Sequence, residues 1–169
     1  FFKNQDVVVV GGGDSAAEEA TYLAKLCRKV YLLVRKDKMR ASQIMQKRVL
    51  DTENLDVLFN HETIEVMGDK TVNAIKVLDN KQNIEKVLDA TGFFLAIGHT
   101  PNTKIFQGQL DMDSVGYLLT KPNSSLTNLP GVFASGDAQD SIYRQAITAA
   151  GSGCMAALDA EKYLFEIEG

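Results

Sequence analysis

The residues best placed to do chemistry stand close to the start of the chain. Gly11-Gly12-Gly13-Asp14-Ser15-Ala16 follows the apolar run Val7–Val10 and leads into a stretch rich in Ala, Glu and Leu. This is the G-x-G-x-x-A pattern set between a strand and a helix. Gly11 permits the tight turn out of the strand, Gly13 lets the backbone approach a pyrophosphate, and Ala16 lets helix and strand pack closely. The free N–H groups and partial positive charge of the helix start suit phosphate. The chemistry implied is dinucleotide binding.

A second group of residues specifies the nucleotide. An NAD site places a carboxylate at the end of the second strand, about 20 residues on, for the ribose 2′-hydroxyl. Here that place reads Val34-Arg35-Lys36, with Arg40 further along and only Asp37 as a nearby acid. Cations at this point match a 2′-phosphate, so NADP is expected. A third group lies near the other end. Gly136-Asp137 follows "VFAS", where an exposed carboxylate can accept hydrogen bonds from ligand hydroxyls. Arg144-Gln145-Ala146 opens the last helix, whose N-terminal dipole favours negative charge.

The elements that must hold these groups follow from periodicity. Asp6–Val10, Lys29–Val34 and Leu55–Phe59 read as strands, and Asp14–Leu26 and Ser42–Leu50 as helices. From Thr63 to Ala90 polar and apolar residues alternate around turn signals at Gly68-Asp69 and Asp79-Asn80, which predicts an antiparallel meander. "TGFFLAIG" returns to a buried strand. Pro101 and Asn102 mark a boundary within Gly98–Thr103. Beyond it a hairpin-like stretch near Tyr117–Thr120, a strand at Val132–Ser135 and a helix from about Gln145 to Phe165 are expected. No short internal repeat or low-complexity segment interrupts the chain.

Composition narrows the function classes. The chain has 169 residues, 45% of them hydrophobic, with a formal charge of −4, an ordinary globular composition and a weak argument against a nucleic-acid surface. No apolar run is long enough to span a bilayer. Two cysteines, Cys27 and Cys154, make no disulfide framework and suggest a reducing, cytoplasmic setting. Cys27 is expected inside the first helix and Cys154 inside the last. The histidines, His61 and His99, form no zinc-ligand set or Ser/His/Asp arrangement and are expected to be structural or solvated.

The stretches "VVVVGGGDSAAEEATYL", "VRKDKMRAS", "AIGHTPN" and "SGDAQDSIYRQAITAAGSGCMAALDAEKYL" together resemble the low-molecular-weight thioredoxin reductases, in that family's order along the whole chain. The resemblance implies an α/β, Rossmann-like FAD/NAD(P)-binding fold of the pyridine nucleotide-disulfide oxidoreductase type with an antiparallel meander. It also implies electron transfer from NADPH to FAD, to a redox disulfide and then to thioredoxin, in a homodimeric enzyme. Residues 1–98 would be the NADPH-binding domain and 99–169 the C-terminal portion of the FAD-binding domain. Gly11, Gly13, Asp14, Ser15, Ala16, Arg35, Lys36 and Arg40 would hold NADP, with Ile97 and Gly98 beside it. Gly136 and Asp137 would bind FAD, Asp137 at the ribityl chain, while Arg144, Gln145 and Ala146 face the flavin ring. The family's first FAD glycine loop and its C-x-x-C have no counterpart here, and Phe stands first in place of Met. A fragment without catalytic residues of its own, inactive alone, is therefore expected. The alternatives are a related ferredoxin or flavodoxin–NADP reductase and a non-catalytic NADP-binding module.

Overall fold

The computed structural model describes residues 1–168. The chain divides into two compact units, Phe1–Gly98 and His99–Gly169.

In the first unit β1 (Asp6–Val10), β2 (Lys29–Val34), β3 (Leu55–Phe59) and a later strand form a parallel sheet, with α1 (Asp14–Ala24) and α2 (Gln43–Leu50) as crossovers. The meander is β4 (His61–Gly68), β5 (Val72–Asp79) and β6 (Ile84–Asp89), and β7 (Gly92–Leu95) then returns to the parallel sheet beside β1. The strand orders are β3-β2-β1-β7 and β4-β5-β6.

Strand periodicity divides the core in two. Val7 and Val9 of β1 pack with Ala16, Ala17 and Ala20 of α1 and with Met45 and Val49 of α2. Val8, between them, faces the other way and packs with Leu33, Ile75, Val77 and Ala90. Helices thus cover one face of the parallel sheet and the meander covers the other. β1 is buried on both sides, which is why it reads as an unbroken valine run.

Three expectations for this unit need adjustment. α1 stops at Ala24, because the chain turns there: the Leu26 and Cys27 amides both donate to the Leu23 carbonyl. Cys27 therefore lies in the turn after α1, not inside the helix, and it is buried. α2 begins at Gln43, with Ser42 as its N-cap residue.

The second unit has little regular structure before α3 (Ala146–Glu168). Single antiparallel bridges join Met112 to Leu118 and Leu126 to Phe133. The strand expected at Val132–Ser135 is reduced to the Phe133 bridge. Only the segment around Ser125–Thr127 pairs with it, through the Ala134 amide to the Ser125 carbonyl and the Thr127 amide to the Val132 carbonyl. A run this apolar reads as an inner strand with ladder partners on both sides, and on its second side no partner lies among the described residues of this unit. Its buried apolar cluster is small: Leu110, Leu118 and Ala134.

Candidate functional site

β1 ends at Val10, and the chain turns at once. Gly11 has φ +155°, and a Cβ there would lie 2.3 Å from the Ala96 carbonyl oxygen and 2.6 Å from the Ala16 Cβ. Gly11 is thus required by the fold itself, and Ala16, fully buried, is the small residue that meets it. Gly13 behaves differently. A Cβ there would meet no protein atom within 4 Å. Gly13 is also the N-cap residue of α1 and brings no capping side chain. The Asp14, Ser15 and Ala16 amides form the first turn, where an α-helix leaves its N–H groups without intrahelical partners.

Beside this loop is a cleft of about 530 Å³ at the C-terminal ends of the parallel strands. Val10 of β1, Val34 of β2 and Leu95 of β7 line it, together with Gly11, Gly12, Arg35, Lys36, Arg40 and Ile97. In sequence order the chain runs from β1 out to β3, then returns to β7 on the other side of β1. The cleft therefore sits at the topological switch point, where open α/β sheets bind ligands.

The structure brings Gly11, Arg35, Lys36, Arg40 and Ile97 together around this cleft. Ala16 lies beneath it, while Asp14 and Ser15 are exposed on the first turn of α1. Gly98, with φ +100°, is not among the lining residues. Lys38 and the start of β4, His61, Glu62 and Thr63, also line the cleft, and sequence reasoning missed them. Lys38 belongs to the same basic loop and could have been included. The β4 residues carry no such signal, because alternation reports which face a side chain takes and not which cleft it borders.

His61 and Thr63 add an observation of their own. The His61 Nδ1 is 2.7 Å from the Phe59 carbonyl oxygen, while Nε2 lies 3.9 Å from the Asp79 carboxylate. The His61 Nε2 and Thr63 Oγ1 are buried with no hydrogen-bond partner in the protein. Buried polar atoms ordinarily find one, and the nearest charged group to the His61 Nε2 is the Asp79 carboxylate. Asp79 is held below the usual carboxylate range, first by the Gln82 amide and then by the Lys81 amide, both donating to its Oδ1.

In the second unit Gly136, Asp137, Arg144, Gln145 and Ala146 gather around the start of α3. Gly136 has φ +62°, and its amide donates to the Ser152 hydroxyl at 3.0 Å. Asp137 lies in the short turn of helix Gly136–Ala138, with its side chain exposed. Arg144 and Gln145 precede α3 rather than open it, and Ala146 is its first residue. Arg144 adopts φ +49°, uncommon for a residue with a Cβ. Asp140 holds that conformation: its carboxylate accepts the Ile142, Tyr143 and Arg144 amides and the Thr148 hydroxyl. These bonds, the Tyr143 amide foremost, keep the Asp140 carboxyl below its ordinary range. The Arg144 guanidinium donates to the Tyr117 hydroxyl at 3.2 Å.

Neither cysteine resembles a redox centre. Burial pushes the Cys27 thiol up, with the nearby Asp6 carboxylate adding to the effect, so it is a poor thiolate. Cys154 is exposed on α3. Among the described residues no group of three or more His, Cys, Asp or Glu side chains could hold a metal, and no helix is long and apolar enough to cross a membrane.

Comparison with known proteins agrees with this geometry. The chain is 60% identical to a mitochondrial thioredoxin reductase of Kluyveromyces lactis and 57% identical to thioredoxin reductase 1 of Saccharomyces cerevisiae. Each match covers 99% of this chain, but only 48% and 53% of the relative, so the chain spans about half the length of the curated relatives it matches. Among solved structures it is similar to a thioredoxin reductase of Giardia duodenalis, with TM-score 0.82, 43% identity, and coverage of 96% of this chain and 54% of that one. A thioredoxin reductase of Streptococcus pyogenes matches with TM-score 0.89 and 34% identity over 98% of this chain and 54% of that one. Residues 2–153 match the profile of one family throughout, glycine loop, basic strand end and α3 start included, and by that match the chain belongs to the pyridine nucleotide-disulphide oxidoreductases.

Proposed function

We propose that this chain is the NADPH-binding domain, residues 1–98, and the C-terminal part of the FAD-binding domain, residues 99–169, of a thioredoxin reductase. The observation that carries the reading is the cleft in which Arg35, Lys36 and Arg40 face the end of the glycine loop. Its residues suit NADPH. Gly13 leaves open space where a Cβ would stand, the α1 amides offer donors to a pyrophosphate, and the cations suit a 2′-phosphate. Ser15, Ile97 and Gly98 complete this site in our reading, with Ile97 beside the nicotinamide half. For FAD, Asp137 would take the ribityl hydroxyls and Arg144, Gln145 and Ala146 the ring. Support comes from the way Asp140 fixes the Arg144 backbone at the start of α3.

When bound, the two cofactors supply hydride transfer from nicotinamide to flavin and onward reduction of a disulfide. This chain's residues position the nucleotide and present the α3 start to the flavin; the dithiol that meets thioredoxin lies elsewhere in the enzyme. A homodimer and a role in thiol redox homeostasis come with the reading. The proposed compartment is the cytoplasm, supported by cysteine usage. Co-localisation of a tagged protein with a mitochondrial marker, the compartment of one similar relative, would replace that assignment.

Titration calorimetry tests the nucleotide assignment. Arg35→Ala should weaken NADPH about 10- to 100-fold, the value of a charge-assisted hydrogen bond, and leave NADH nearly unchanged. Gly13→Val should abolish binding of both with the domain still folded, because the side chain fills the space a pyrophosphate needs. Equal losses from Arg35→Ala for both nucleotides would sink the NADP assignment. A folded Gly13→Val protein that binds normally would remove the loop from the site.

A further inference from the structure

We infer that Asp14 is a positioning residue: its carboxylate locks the Arg40 loop to the glycine loop and thereby sets the preference for a 2′-phosphate, without touching the nucleotide. The inference rests on the nucleotide site proposed above and says how that site gains its selectivity.

The basic segment from Arg35 to Ser42 has no regular secondary structure. Arg35, Lys36, Lys38 and Arg40 are exposed and carry like charge, so repulsion and chain entropy both act to spread them. The far end of the segment is nonetheless held tightly. The Gly12 carbonyl accepts the Arg40 amide at 2.6 Å and the Ala41 amide at 3.0 Å. Asp14 Oδ1 accepts both the Ser42 amide and the Ser42 hydroxyl, each at 2.9 Å. Met39 and Ala41, on either side of Arg40, are buried. Residues 12 and 14 thus grip residues 40 to 42 from across the first turn of α1.

A carboxylate at this helix start needs explaining if a pyrophosphate is to bind next to it, since like charges repel there. The two hydrogen bonds from Ser42 supply the explanation. They engage one oxygen of Asp14, and Asp14 does not line the cleft. What the carboxylate achieves is preorganisation: Arg40 is delivered to the cleft with its backbone already fixed, so binding a phosphate there costs less ordering. Arg35 follows directly on β2 and needs no such device.

The test measures binding of adenosine 2′,5′-bisphosphate, AMP, NADPH and NADH to the 169-residue chain by calorimetry, with circular dichroism as the check on folding. Asp14→Ala should weaken the bisphosphate and NADPH about tenfold and change AMP and NADH less than about twofold. Asp14→Asn keeps an acceptor oxygen for Ser42 and should restore most of the loss. Ser42→Ala keeps the amide bond and should lose about threefold. Combined with Asp14→Ala it should add almost nothing, because the two residues act as one contact. A loss shared equally by all four ligands would make Asp14 a plain structural residue and overturn the inference, as would no loss at all. Arg40→Ala separates this inference from the reading beneath it. If Arg40→Ala weakens the bisphosphate and Asp14→Ala does not, the clamp is wrong and the site stands. If Arg40→Ala has no effect either, both are overturned.

Discussion

Helices α1 and α3 are built from similar residues and are used in opposite ways. Of the eleven residues of α1, six are buried: Ala16, Ala17, Ala20, Thr21, Leu23 and Ala24. Across the longer α3, none of the described side chains is buried, although Ile147, Leu158, Leu164 and Phe165 are all apolar. Exposure reaches 80% at Ile147 and 71% at Phe165, so this surface is dressed for a neighbour. What holds α3 is a set of polar and aromatic clasps. Asp159 accepts the Ser124 hydroxyl and both the amide and hydroxyl of Ser125. Phe133 meets Tyr163 edge to face, and Ser152 takes the Gly136 amide. Apolar composition therefore does not identify the helix that stabilises its own unit. In the first unit the helix completes a core, whereas in the second it offers an apolar face that the described residues leave open.

The sharpest way to break this contrast is amide hydrogen exchange on the 169-residue chain. Core strands such as β1 and β2 are expected to open only with the whole first unit, whereas a helix with little tertiary support is marginal in water. We expect α3 amides to exchange at least about a thousandfold faster than those of β1. Comparable protection in the two would mean that α3 is as well supported as α1. Next in size is a pair of truncations. Leu32→Ala removes a fully buried side chain and should cost the first unit about 2–5 kcal/mol, whereas Leu158→Ala should stay within about 0.5 kcal/mol by denaturant unfolding of the same chain. A large cost at Leu158 would place it in a core after all.

The smallest effect is one of acid. Ser125, through its hydroxyl first and then its amide, and Ser124 hold the Asp159 carboxyl below its ordinary range, and the Tyr143 amide leads the same effect at Asp140. A carboxyl whose pKa is lowered on folding stabilises above its unfolded pKa, near 3.9, and that contribution fades as pH falls through the lowered folded value. The clasps of the second unit should therefore loosen only below about pH 4. Carboxyl titration by NMR should give midpoints for Asp140 and Asp159 under the free-aspartate value. Normal midpoints would remove both clasps from the account.

The parts of this molecule that were legible in sequence are those whose cause is local. β1, β2 and β3 have the limits that their runs indicate, since each pairs within one parallel sheet and the apolar residues of β1 and β2 form its buried centre. The end of α1 was harder to read. Leu26 and Cys27 look helical by composition, yet the chain must turn to bring the Arg28 amide to the Gln5 carbonyl. "VFAS" reads as a strand because it is apolar, but a strand also needs ladder partners, which no single segment can announce. The same division holds at the cleft. Arg35, Lys36 and Arg40 were identifiable from their place after β2. His61, Glu62 and Thr63 arrive there through the path of the meander, and the bonds from Ser42 to Asp14 carry no signal in the sequence at all.

The meander interrupts the parallel sheet between β3 and β7, and on a topology diagram it looks like a removable insertion. The packing denies it that independence. Ile75 and Val77 form one half of the sheet's core, while the first residues of β4 form one wall of the cleft. Stability and ligand fit are therefore written into the same stretch of chain. Over evolutionary time, a substitution that retunes the twist of β4 and β5 cannot be judged by either property alone. The basic loop after β2 differs: among the described residues its backbone is tied at the far end and at the Lys36 carbonyl, and Arg35 to Lys38 are exposed, so changes there leave the core untouched.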